Sequence, residues 1–270
     1  MATIGLQEGS LLTSAHFSAE VRGMAAAGER IDVDAAITWP PEVRRRAETI
    51  ARMVRGTARC VEDMRVAPEI ADEFRGLFVG HRVRAYHATR LLGHEVEMVR
   101  LQGLRPLSKK LVIERIERAY ESGVLTFEDR DRLLSGNVFA EGRWTGREGH
   151  VSLFLSRTPL ERMVHGVRPL LTTWGGEGIY MARGGSSMRE ALLQGIGTAT
   201  IVVVEVDLGP DPRVHGIYPE LWKLFVARLL GREPLSADLL YMSFVPPDGV
   251  IDFWQPGHPS YDVHERLPRT

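Results

Sequence analysis

The chain has 270 residues, 44% of them apolar and 26% charged, with a formal net charge of −1 at pH 7. That length suits one large domain with or without a helical appendage, and the balanced charge excludes a global basic field that would draw in nucleic acid. The single cysteine, Cys60, excludes an internal disulfide and a CxxC metal knuckle, and no apolar run reaches the roughly 18 residues that a membrane span needs.

The first forty residues give weak signals, with residues 18–27 a candidate short helix. They lack the basic and apolar regions of a signal peptide, so the expected compartment is the cytoplasm, with no membrane partner. Pro40 and Pro41 stop the preceding chain, and Pro41 suits a first helical position. Val43, Ala47, Ile50, Ala51, Val54, Ala58 and Val61 then recur at helical steps. Cys60 falls among them as a small core residue, and Arg44, Arg45 and Arg46 form a solvated face. Pro68 starts a second helix through Ile70, Phe74 and Leu77, closed by Gly80. Residues 1–80 are therefore expected to form a helical N-terminal module.

Residues 81–89 alternate and predict a strand. Residues 93–103 predict a short helix ending at Gly103. Ser108 caps a helix running to Gly123, and Thr126 with Asp129 starts another that ends near Gly136. This pair, residues 108–135, reads as a helical insertion. Strand 151–155 follows, then a short helix over 158–166. Short strands are expected at 169–173 and 178–181, either side of a Trp-Gly-Gly-Glu turn. A helix over 186–195 leads into strand 199–208, where Val202, Val203 and Val204 predict burial on both faces. A helix over 219–230 and strands 239–245 and 250–254 complete the domain, residues 81–256. Residues 257–270 read as a loose polar tail.

Regular βαβ alternation and a GxGxxG turn are both missing, which argues against a doubly wound dinucleotide fold. The expected class is α+β, with two small packed antiparallel or mixed sheets. His87, His94 and Glu95 lack HExxH spacing and a third ligand, so no metal site is expected. A serine nucleophile elbow, GxSxG, is absent too. The Gly loop from Arg143 to Arg147 reads as a plain turn or a phosphate contact.

Two constellations carry chemistry. In Tyr86-His87-Ala88-Thr89 the histidine ends a strand next to a small residue and a hydroxyl. It suits either a ligand's ribose or a core position satisfied by a backbone carbonyl. Gly178-Ile179-Tyr180 follows a turn whose glycines permit positive φ. Tyr180 there suits stacking on a planar ring or a half-buried strand position.

Together, and in this order, they resemble the ADP-ribosyltransferases of the diphtheria-toxin and poly(ADP-ribose) polymerase class. "YHAT" with "GL" at Gly103-Leu104 resembles that family's first motif. "GEGIYMA" followed by a Ser pair and a helix resembles its second, and "TATIVVVEVDLG" the strand after it. "FVPPDGVI" is similar to the ending of bacterial relatives. The resemblance covers roughly residues 84–252 and implies two sheets enclosing an NAD cleft. It implies that His87 hydrogen-bonds the ribose on the nicotinamide side, that the Ala88 backbone holds the carboxamide, and that Thr89 supports the site. Tyr180 would stack on nicotinamide, with Gly178, Ser186, Ser187 and Arg90 close by. The acid of the motif falls on Asp238, one methylene shorter than glutamate, with Glu177 as the alternative and Glu205 read as structural. HAT stands where the family commonly has HGT, and no second tyrosine follows the Ser pair. The implied activity is cleavage of NAD with transfer of ADP-ribose to a protein, nucleic acid or small molecule, as in a toxin or phage-defence effector. The alternatives are an RNA 2′-phosphotransferase-like enzyme, for which Arg90 and Arg183 are the candidate cleft cations, and a catalytically silent nucleotide-sensing module with a protein partner on its N-terminal helices.

Overall fold

A computed structural model describes residues 30–31, 45, 80–142, 146–161, 167–182, 187–208, 214–215, 221, 224, 238–241, 244–264 and 267–268. The expected N-terminal module and Cys60 lie outside the described residues, Arg30, Ile31, Arg45 and Gly80 excepted. So do Arg183, Ser186 and all of the expected helix over 219–230 but the buried, helical Leu221 and Leu224. Among the described residues no helix is long and apolar enough to cross a membrane.

The fold is mixed α+β around one sheet. Its strands are β1 (Arg30–Ile31), β2 (Arg82–Leu91), β3 (Val151–Phe154), β4 (Thr198–Asp207), β5 (Val214–His215), β6 (Asp238–Tyr241) and β7 (Val250–Trp254). They lie in the order β5-β6-β3-β2-β4-β7, with β1 parallel to the start of β2. The five longer strands pair antiparallel throughout. The spine is the β2–β4 ladder, which runs unbroken from Arg82↔Asp207 to Leu91↔Thr198. The β-branched run Ile201–Val204 suits such a central position, and it is buried on both faces as expected.

Beside that ladder the sheet thins. β3 pairs with β6 over its whole length but meets β2 at a single position, Tyr86↔Phe154. The Ser152 carbonyl accepts from the His87 imidazole at 2.8 Å, so a side chain takes a place that a backbone amide would fill if the ladder continued. Among the described residues the strands form one sheet, whose β7-β4-β2 and β3-β6-β5 halves join at one residue pair, and a second sheet is not among them.

Helix α1 (Gly93–Gln102) begins where Glu95 accepts the Leu92 amide at 2.8 Å and ends at Gly103, φ +77°. Ser108 caps α2 (Lys109–Glu121) through the Leu111 amide, and Thr126 caps α3 (Phe127–Ser135) through that of Asp129, both as the sequence predicts. Short helices follow: α4 (Thr158–Glu161), α5 (Val167–Thr172), α6 (Glu177–Tyr180), α7 (Ser187–Gln194) and α8 (Pro259–Asp262).

Two cores result. One face of the central strands, with Tyr86, Ala88, Ile201, Val203 and Trp254, packs on Val167, Leu171, Tyr261 and Leu267. The α2–α3 hairpin closes a second core through Val112, Ile116 and Leu133 against Trp174, Ile179, Leu193 and Ile196. Buried apolar area of this kind contributes about 25 cal/mol per Å².

These cores overturn three expectations. Helices α5 and α6 take the place of the strands expected at 169–173 and 178–181. Val167 and Leu171, one helical turn apart, are both buried while Pro169 between them is only partly so, whereas a strand would set all three on one face. Ile179 is fully buried on the hairpin, so α6 faces a helix instead of a sheet edge. The tail is not loose: Tyr261 and Leu267 fill the first core, and the Tyr261 hydroxyl donates to the Pro268 carbonyl.

Candidate functional site

Alternation along β2 sorts the predicted residues onto two faces. Tyr86 and Ala88 point into the first core, so Ala88 offers a ligand its backbone alone. His87 and Thr89 line a pocket of about 100 Å³ closed by α1 and α2, whose other polar walls include Glu95, Arg105, Arg115 and Arg118. Thr89 is buried, and its hydroxyl donates to the Arg90 carbonyl at 3.4 Å.

His87 is half-buried, with Nδ1 held at 2.8 Å from the Ser152 carbonyl. A carbonyl only accepts, so Nδ1 carries the hydrogen and Nε2 is the free acceptor of the neutral ring. Burial drives its pKa below the ordinary 6.5; the Ser152 bond opposes the shift and the Arg115 charge adds to it. At neutral pH the pocket therefore contains an uncharged imidazole whose tautomer is fixed by the backbone of the other sheet half.

Arg115 is fixed in turn by Glu95. The Glu95 carboxylate accepts Arg115 Nε at 2.6 Å, Trp174 Nε1 at 2.9 Å and the Leu92 amide at 2.8 Å. Arg115 also lies over the Trp174 ring, 5.2 Å from its centre, and donates to the Arg90 carbonyl. Burial alone would raise the Glu95 pKa, but the Arg115 charge and these hydrogen bonds outweigh it, and the net direction is down. The buried carboxylate stays ionised and ties α1, α2 and the 173–177 turn together.

In that turn Gly175 and Gly176 have φ of +98° and +61°, the left-handed geometry that the sequence predicts. Gly178 is different. A Cβ there would lie 2.6 Å from Val112 Cγ2, so this glycine lets α6 press against α2 and leaves no open cleft. Tyr180 is half-buried beside the hairpin core, and its pKa is raised to about 12 by burial foremost and then by Glu177, against the pull of Arg147.

Tyr180 and Glu177 stand outside the lining of the His87 pocket. A bridge joins the two groups: Arg147 Nε lies 3.1 Å from Glu177 Oε2, and its Nη1 donates to Ser152 Oγ at 3.3 Å. Ser152 thus serves His87 with its carbonyl and Arg147 with its hydroxyl.

The remaining candidates lie elsewhere. Asp238 opens β6 in the register row Tyr86–Phe154–Asp238, whereas His87 belongs to the alternate row of β2. Arg90 is buried and gives its guanidinium to the carbonyls of Ile196, Leu171 and Gly197, closing the turn before β4. Glu205 is buried beside Arg84, in keeping with a structural role. Ser187 opens α7. Arg115 and Arg118 were not singled out by sequence reasoning, Glu95 was weighed only as a metal ligand beside His87, and Trp174 was read as a core residue or cleft wall. The one local signal was the position of Glu95 in the first turn of α1, where an acid satisfies an N-terminal amide. No family model, curated protein or solved structure matches this chain.

Proposed function

We propose that the protein is an NAD-consuming ADP-ribosyltransferase whose site is centred on His87. The observation that carries this reading is the fixed neutral imidazole, its Nε2 available as an acceptor, on the central strand where the sheet halves part. An acceptor nitrogen in a pocket that partly excludes water suits a ribose hydroxyl. The Tyr180–Glu177 pair, joined to the same serine through Arg147, supplies an aromatic ring and a carboxylate next to it. In the reaction the bond between nicotinamide nitrogen and ribose C1′ breaks, and its electron pair leaves with nicotinamide. An acceptor lone pair then forms the new bond to C1′. A carboxylate near C1′ stabilises the positive charge that develops in between. Glu177 is the better candidate for that role, because its contacts lead to His87, while the backbone of Asp238 lies in the other register row.

Incubation with NAD labelled in the adenylate half tests this. Free nicotinamide is expected, with release falling by roughly 100-fold or more in His87→Ala, the scale for loss of one preorganised polar group. No nicotinamide and no label transfer across a broad acceptor set would overturn it. One observation favours the silent nucleotide-binding alternative: Tyr180 does not line the His87 pocket. NAD binding by calorimetry without any turnover would decide for that reading.

A further inference from the structure

We infer that the α1–α2 side of the His87 pocket is an anion subsite that takes a phosphate group, with Arg115 at its base and Arg105 and Arg118 at its rim. The charge balance is the first reason. Three cations of the lining, Arg105, Arg115 and Arg118, meet two carboxylates there, Glu95 and Glu114. Glu95 is taken by Arg115, at 2.6 Å. Glu114 is shared by Arg105 at 2.6 Å and Lys110 at 3.7 Å, and the Arg105 hydrogen bond foremost holds its pKa low, so it stays ionised. The Arg118 guanidinium meets the Met98 sulfur, a weak acceptor, and among the described residues no carboxylate within 4 Å, its charge reaching Glu114 from further away. The pocket therefore has donors and positive charge in excess of what the described residues neutralise.

Size and lining are the second reason. The pocket, of about 100 Å³ and open on one side, has room for a phosphate group between α1 and α2. The other walls combine the apolar Leu91, Val99, Leu104 and Leu111 with His94 and Gln102, so an anion that enters gives up part of its water and gains guanidinium donors. Planar guanidinium groups match phosphate oxygens two at a time, and a phosphate has enough oxygens to meet three arginines where a carboxylate has two. Two of these arginines lie on α2, so the helical insertion supplies the subsite.

The inference does not rest on NAD turnover. The test titrates the full chain at low salt with inorganic phosphate, pyrophosphate and acetate, by calorimetry and by the imidazole NMR signals of His87. Phosphate or pyrophosphate is expected to bind at least tenfold tighter than acetate and to raise the His87 pKa. Arg118→Met is expected to weaken binding at least tenfold and Arg118→Lys to restore part of it. Equal affinity in Arg118→Met, no preference over acetate, or silent His87 signals would each overturn the subsite. Competition assigns the group: displacement of pyrophosphate by NAD gives it to the dinucleotide, and simultaneous binding gives it to a separate phosphorylated ligand. Glu177→Gln separates the two proposals, because it is expected to lower nicotinamide release while retaining pyrophosphate binding, Glu177 standing outside the pocket lining.

Discussion

Replacing Glu95 with glutamine keeps the shape of the side chain and removes one charge. Oε2 accepts the Leu92 amide at 2.8 Å and the Trp174 indole at 2.9 Å, and the carbonyl oxygen of glutamine can take over both bonds. The amide nitrogen then occupies the place of Oε1, 2.6 Å from Arg115 Nε, where donor meets donor. A hydrogen bond to a charged group is lost, about 1.5–3 kcal/mol. Arg115, only 18% exposed, keeps its bond to the Arg90 carbonyl but has no counter-charge. Breaking a buried pair in this way costs about 3–5 kcal/mol. Urea unfolding is the assay, read as a fall in midpoint at constant slope. The double variant Glu95→Gln with Arg115→Met removes the orphaned cation and is expected to recover at least half of the loss. A loss under about 1 kcal/mol for Glu95→Gln, or no recovery in the double variant, would refute the reasoning. The sign with pH follows from the lowered Glu95 pKa. Its stabilisation is complete above the unfolded value near 4.5 and disappears as pH falls through the lower folded value, so Glu95→Gln flattens that acid limb.

His87 has the opposite chemistry. Its folded pKa lies below 6.5, so the unfolded chain takes up the proton first; stability declines as pH falls from 6.5 to the folded value and is unaffected above it. An NMR titration that places His87 above 6.5 in the wild type would contradict the fixed neutral ring. Tyr180 is expected to ionise at about 12, and Glu177→Gln to lower that value because the Glu177 charge opposes the phenolate; ultraviolet titration near pH 10 in the wild type would contradict the contact. Gly178→Ala drives a methyl to 2.6 Å from Val112 Cγ2 and is expected to cost about 1–3 kcal/mol, partly relieved by Val112→Ala; full stability in thermal unfolding would show that α6 is not seated on α2.

The strands and helices that the sequence announces are those with long, self-consistent patterns. The alternation of β2, the β-branched run of β4 and the Ser108 and Thr126 caps are local signals, and the structure agrees with them. The segments read as strands around the turn are too short to carry a period. Gly-Ile-Tyr-Met suits a strand by propensity, but the packing of Ile179 and Gly178 against α2 decides for helix. Tyr261 and Leu267 read as tail because their partners on β2 and β4 are remote in sequence. At the site, His87 was legible from its place on a strand. The Glu95–Trp174 bond, between residues 79 positions apart, was not, because nothing in either neighbourhood names the other.

The β2–β4 ladder also has a consequence during synthesis. Arg82 and Asp207 are 125 positions apart, so at roughly 5–20 residues per second β2 leaves the ribosome about 6–25 s before the ladder can be completed. In that interval α2 and α3 can close on each other, since their contacts are local, but the apolar side chains of β2 wait with one whole edge open. A nascent chain stalled before residue 198 would expose the edge of β2 that β4 covers in the folded protein, so shielding of that strand until β4 arrives is expected to raise the yield.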